Sequence, residues 1–175
     1  TFVTVPALES NAQELLGFTD IFSKHGYDLK KEILSVMVIP APVSCVQDFK
    51  IQPNDNVIEV RRILLIKEIR TILETIYFPV SFSFILQEDL TQSLYGILHK
   101  HGIYPTMAKK KIDICYATAE EAKLLDIKPQ KALFLCTDFV NDQEGNCIHK
   151  SRQLIRSDIY KLTVYSTNVD LEMRS

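Results

Sequence analysis

At 175 residues, with 46% hydrophobic and 24% charged side chains, the chain is long enough for one domain with a sizeable core, and its make-up is that of an ordinary globular protein. A formal net charge of −2 argues against its gripping nucleic acid by itself. No apolar run approaches the roughly 20 residues of a membrane span, and the start does not read as a signal peptide.

Thr1-Phe2-Val3 is a β-type triplet without an initiating methionine, which reads as a piece cut from something longer. Residues 4–14 read as a linker. A short helix is expected over Thr19–His25, with Thr19 as cap, Asp20 in its first turn and Gly26 as its end. Glu32–Pro40 is strand-like and Val43–Phe49 a short helix, closed by Pro53-Asn54-Asp55. Val57–Pro79 reads as a β-hairpin turning at Lys67-Glu68. Phe82–Leu86 is an apolar crossing. Leu90–His101 carries Leu90, Leu94, Ile97 and Leu98 at helical spacing, with Gly102 as stop. Strands follow at Lys111–Ala117, Ala132–Val140, Cys147–Arg156 and Ile159–Tyr165. Between them lie a helix at Ala119–Leu125, a break at Pro129 and a polar turn over residues 141–146. Residues from Thr167 read as a tail.

The hairpin organises the rest. Side chains alternate with period two, so Ile58, Val60, Leu64 and Ile66 share one face of its first strand, and Arg62 lies among them. On the return strand, Ile72, Ile76 and Phe78 share a face with Glu74. A tip at Glu68 puts Arg62 directly opposite Glu74. A buried charge is costly unless paired or used. Two readings stand: a cross-strand ion pair, or two groups lining a pocket for a polar ligand.

The second half repeats the first at an offset of 76 (Ala41 to Ala117, Ile51 to Ile127, Pro53 to Pro129). Each copy is strand, short helix, strand, turn, strand. That predicts a pseudo-symmetric α+β domain with a mainly antiparallel sheet and flanking helices. The offset carries Glu74 near His149 and Lys150. With one residue of slip His149 is the counterpart, on a polar face with Ser151 and Gln153.

The chain has no GxSxG, HExxH, P-loop or GxGxxG pattern, and its histidines (His25, His99, His101, His149) are scattered, so no catalytic residue is expected. Cys45, Cys115, Cys136 and Cys147 form neither a CxxC pair nor a cluster with histidine. They read as reduced core thiols of a cytoplasmic protein with no metal site and no cofactor. An anion site has more support. Thr19 and Ser93 fall at expected helix N-termini, where N–H groups are unpaired, although plain capping is by itself the more common explanation for both. Arg62 adds a fixed positive fork.

The residues Gly17-Phe18-Thr19-Asp20, Ile39-Pro40-Ala41-Pro42, Val60-Arg61-Arg62-Ile63, Leu73-Glu74, Gln92-Ser93-Leu94-Tyr95 and Ile155-Arg156-Ser157-Asp158-Ile159-Tyr160, in that order and spacing, resemble the effector-binding UTRA domain of GntR-type bacterial transcription regulators of the HutC subfamily. Thr1-Phe2-Val3 resembles the end of the winged-helix wing that precedes such domains. The resemblance implies the end of the wing and a linker over 1–15, the UTRA domain over 16–166 and a tail over 167–175. It also implies a chorismate-lyase-like fold, a homodimer, and a pocket for a small anionic effector such as a phosphorylated sugar, without catalysis. DNA would be reached only through a separate N-terminal winged-helix domain, in a regulator that is most often a repressor. The effector-binding residues it implies are Phe18, Thr19, Arg62, Ser93 and Tyr95 at the phosphate end, with Glu74 and His149 toward the sugar. Two positions depart from the family pattern. Leu64 stands where a second arginine is usual, and His149 where a late glutamate is usual. The phosphate end is therefore retained and the sugar-facing end altered, which leaves room for an effector other than an amino-sugar phosphate. The rival reading is an enzyme of related fold acting on a small carboxylate, such as a lyase. A blander one is a dimerisation module with a vestigial pocket.

Overall fold

The computed structural model describes residues 8–11, 26–27 and 29–163. Six strands form one sheet: β2 (Leu29–Pro40), β3 (Asn56–Ile66), β4 (Ile69–Pro79), β5 (Met107–Tyr116), β6 (Ala132–Asn141) and β7 (Cys147–Arg156). Their spatial order is β2-β3-β4-β7-β6-β5, with every neighbour antiparallel. Two further short strands, β1 (Leu8–Asn11) and β8 (Tyr160–Thr163), pair in parallel. Part of the stretch expected to be linker is thus strand. That pairing joins positions some 150 residues apart, which no local pattern announces. The helix expected over Thr19–His25 lies outside the described residues.

The repeat is real at the level of backbone detail. Helix α1 (Val43–Phe49) and helix α3 (Ala119–Leu125) begin and end 76 residues apart. Both close on a left-handed residue, Lys50 and Asp126, each at φ 54°. The bonds that seal them are also repeated: Ile51 N–H to Val46 C=O at 3.1 Å and Ile127 N–H to Ala122 C=O at 2.9 Å. So are the bonds that brace each entry, Ala41 N–H to Asp55 C=O at 2.8 Å and Ala117 N–H to Lys131 C=O at 2.9 Å. The copies are interlocked, because α1 packs on β7 of the second copy and α3 on β4 of the first. Helix α3 covers apolar surface of the first copy, and α1 is tied to β7 through Lys150, which donates to the Ser44 carbonyl and Asp48.

Helix α2 (Leu94–Lys100) starts four residues later than helical spacing predicts. Asp89 competes locally. Its carboxylate accepts from Thr91 N–H at 3.0 Å and the Thr91 hydroxyl at 2.6 Å, holding Leu90–Gln92 in a turn. Ser93 then caps α2 by accepting from Gly96 N–H at 3.2 Å. Leu90, Leu94, Ile97 and Leu98 are all buried as expected. Before the turn, the apolar crossing is a 3-10 segment, Val80–Gln87.

The β3–β4 hairpin turns on Lys67 and Glu68, both left-handed at φ 50° and 62°. A two-residue turn of this hand matches the twist of the strands. Past it, Leu64 pairs with Ile72 and Leu65 with Arg70, so Thr71 is an extra residue, a β-bulge. Three apolar clusters fill the domain. On the inner face, Ile58, Val60, Ile76 and Phe78 pack under the 3-10 segment and α2. Further along the same face, Leu64, Ile66, Ile72 and Ile155 pack with Ile159 and Tyr160. On the outer face, Ile63, Leu65, Leu73 and Leu154 lie under Ala122 and Leu125 of α3. All four cysteines are free thiols, with Cys45 and Cys136 buried.

Candidate functional site

The two inner-face clusters are separated by a polar seam that crosses the sheet. On β3 the seam is Arg62, between Val60 and Leu64, and on β4 it is Glu74, between Ile72 and Ile76. Arg62 is paired across the strands with Glu74, and Glu74 with Gln153 of β7. Farther along, Ser151 pairs with Asp138 of β6, and Asp138 with Lys110 of β5. Arg62 Nε donates to the Glu74 carboxylate and its Nη1 to the Leu90 carbonyl at 3.0 Å. Gln153 Nε2 donates to the other Glu74 oxygen at 2.8 Å. Burial alone would raise the Glu74 carboxyl. The Arg62 charge and the bonds from Gln153 and Arg62 outweigh it and hold the group below its usual value, hence ionised. Lys110 donates to both Asp138 oxygens, at 2.7 and 2.8 Å. Here burial dominates and leaves the Asp138 carboxyl raised.

Four buried side-chain atoms of the seam have no hydrogen-bond partner among the described residues: both ring nitrogens of His149, the Ser151 hydroxyl oxygen and Gln153 Oε1. All three residues project from one face of β7 and are at most 4% exposed. Buried polar groups are nearly always satisfied, so such a set calls for partners beyond these side chains, whether ordered water or a bound molecule. His149 lies between aromatic rings, 5.6 Å from Phe78 and 6.1 Å from Tyr95, centroid to centroid. Burial, with the Arg62 charge against an opposing Glu74, pushes the His149 imidazole down to about 4, so it is neutral near pH 7.

Of the seven residues expected from the sequence, Arg62, Glu74 and His149 lie together on the seam. Tyr95 reaches it from α2, and Ser93 caps that helix. Phe18 and Thr19 lie outside the described residues. Of the two readings of Arg62 and Glu74, the cross-strand ion pair is observed, and it lies within the polar seam. One correspondence changes. Glu74 stands opposite Arg62, and the repeat maps Arg62 onto Asp138. The residue opposite Asp138 is Ser151, so Ser151 is the counterpart of Glu74, and His149 sits two positions along the same face. The slip in the second hairpin runs the other way from the one expected. The repeat therefore pointed to Asp138, which the sequence reading passed over. Lys31 was also missed. It is buried on β2, and its Nζ donates to the Thr91 and Gln92 carbonyls at 2.9 and 2.6 Å, bracing the turn before Ser93. Lys31 sits in a charged run, Lys30-Lys31-Glu32, at the start of its strand, and nothing local separates it from its charged neighbours.

On the outer face, a cleft of about 320 Å³ lies between α1 and the ends of β5–β7, lined in part by Asp48, Lys109, Phe139 and Cys147. Beside it, Lys150 Nζ is satisfied by the Ser44 carbonyl at 2.7 Å and by Asp48 at 2.9 Å. Among the described residues, no three His, Cys, Asp or Glu side chains gather as a metal set.

The sequence profile of the UTRA domain matches residues 24–161. The chain belongs to the UTRA domain family. Its relatives include the uncharacterised HTH-type transcriptional regulator YurK of Bacillus subtilis, 28% identical over 77% of this chain and 57% of that protein. The HTH-type transcriptional repressor NagR of the same species is 23% identical over 94% of this chain and 69% of NagR. This UTRA domain thus spans little more than half the length of YurK. In structure it is similar to the effector domain of PhnF from Mycobacterium smegmatis, with a TM-score of 0.86 at 23% identity over 92% of this chain and all of the other. The α+β, chorismate-lyase-like, mainly antiparallel fold expected of a UTRA domain is the fold observed. No helix among the described residues is long and apolar enough to cross a membrane.

Proposed function

We propose that this UTRA domain is the effector-sensing and dimerisation domain of a cytoplasmic transcription regulator, a repressor, which binds a small anion such as a phosphorylated sugar. Its pocket is formed by Phe18, Thr19, Arg62, Glu74, Ser93, Tyr95 and His149, within a domain spanning 16–166. The observation that carries the reading is the set of unpartnered buried atoms on β7 beside the Arg62–Glu74 pair. The sign of the ligand follows from the charges on that face. Strand pairing puts Lys31, Arg62 and Lys110 there against Glu74 and Asp138, three cations to two carboxylates among the described residues, with His149 neutral. Arg62 supplies a fixed positive charge. Its Nε and Nη1 already donate to Glu74 and the Leu90 carbonyl, so it draws a phosphate or carboxylate by charge rather than with an open fork. In this reading the domain performs no chemistry. It lends binding free energy to one arrangement of a dimer, and a separate winged-helix domain contacts DNA. A thermal-shift screen tests it. Phosphorylated sugars should raise the melting temperature and their unphosphorylated parents should not. A screen in which no anion stabilises the chain would overturn the proposal.

A further inference from the structure

Resting on that reading, we infer that the β7 strip of His149, Ser151 and Gln153 takes the uncharged, hydroxyl-bearing part of the effector and discriminates against a protonated amine. The strip lies at alternate positions of one strand, so neighbouring members sit about 6.6 Å apart along it, on the scale of a sugar ring. Its chemistry is neutral and mixed. A neutral imidazole offers one donor and one acceptor, a serine hydroxyl offers both, and Gln153 Oε1 is an acceptor, held in place by the bond its amide nitrogen donates to Glu74. Hydroxyl groups, each donor and acceptor at once, satisfy such a set. An ammonium group does not, because it has donors only and needs a counter-charge when buried. The two carboxylates of this face are both engaged: Glu74 by Arg62 and Gln153, Asp138 by Lys110 through both oxygens. No carboxylate on this face, among the described residues, is left over for an amine.

The test is titration calorimetry of this chain with inorganic phosphate, glucose, mannose and fructose 6-phosphates, sorbitol 6-phosphate and glucosamine 6-phosphate. At least one of the hydroxylated phosphates should bind more tightly than inorganic phosphate, and glucosamine 6-phosphate more weakly than glucose 6-phosphate by about tenfold or more. His149→Glu should reverse that order. Ser151→Ala should reduce the hydroxylated ligand's affinity and leave that of inorganic phosphate unchanged, with melting curves confirming that both variants are folded. If organic phosphates bind but the amine costs nothing, or if none exceeds inorganic phosphate, the assignment of the strip is wrong while the anion pocket stands. If no phosphate binds at all, the anion pocket itself is wrong. If His149→Glu fails to fold, His149→Gln takes its place. Unchanged selectivity in that variant, with Ser151→Ala also without effect, would overturn the inference.

Discussion

Arg62 and Glu74 are each nearly excluded from water and hold one another, so neither can be removed alone without stranding a charge. Arg62→Ala should cost about 3–5 kcal/mol of stability, the usual range for breaking one side of a buried pair. The double variant Arg62→Met, Glu74→Leu should recover most of that, because a matched apolar pair leaves no buried charge. Urea unfolding of the three proteins checks the coupling, and a double variant no more stable than Arg62→Ala would refute it. His149 makes a second prediction. Its folded-state value of about 4 lies below the roughly 6.5 of an unfolded histidine. As pH falls, the unfolded chain takes up the proton first, so stability is full above about 6.5 and declines as pH drops from there toward 4. The loss should be of order 3 kcal/mol at most. The depressed Glu74 carboxyl contributes above its unfolded value, so its stabilisation fades only at more acid pH. Chemical denaturation from pH 7 to 5 should show the decline in wild type and a flatter profile in His149→Gln.

At the level of single elements, the two copies of the repeat solve the same problem unequally. Helix α3 has a full capping box: Thr118 Oγ1 accepts from Glu121 N–H at 3.2 Å, and the Glu121 carboxylate accepts from Thr118 N–H at 3.0 Å. Helix α1 has Pro42 at the matching position and no side-chain cap. Thr118→Ala should therefore lower stability by about 1 kcal/mol, read as a shift in the denaturation midpoint at constant slope. The hairpin turn is the second case. Lys67 and Glu68 both occupy the left-handed region that Asn-Gly fills at least cost. Replacing the pair by Asn-Gly should raise the melting temperature, with a gain of about 1 kcal/mol. An unchanged or lower value would mean that the Lys30–Glu68 contact at 3.3 Å matters more than the backbone, against the small worth of exposed pairs.

For the whole molecule, interlocking of α1 and α3 across the two copies ties the sheet together, with β2 and β5 as its end strands among the described residues. Met37 and Val38 on one edge and Ile114 and Tyr116 on the other are about half exposed or more. Apolar edge strands favour association, and a two-fold dimer suits a regulator of palindromic sites. We expect a homodimer in solution. Light scattering that returns a monomeric mass at micromolar concentration would count against it.

Much of this molecule is written locally. Helices α1 and α3 and the hairpin with its two-residue turn follow from period, parity and turn signals, because each depends on neighbours within a few residues. That Arg62 faces Glu74 rather than Leu73 depends also on the Thr71 bulge. The repeat extended that reach to the architecture, since two similar segments must bury similar faces. What the sequence left open depends on contacts between distant segments. The pairing of β1 with β8 and the bracing of the Leu90–Gln92 turn by Lys31 and Arg62 join residues 28 to 152 positions apart. The second hairpin's slip set Ser151, rather than His149, opposite Asp138. A change of one residue in turn length moves every partner on a strand, and only the closed sheet, with both faces covered, decides which register leaves the fewest charges stranded.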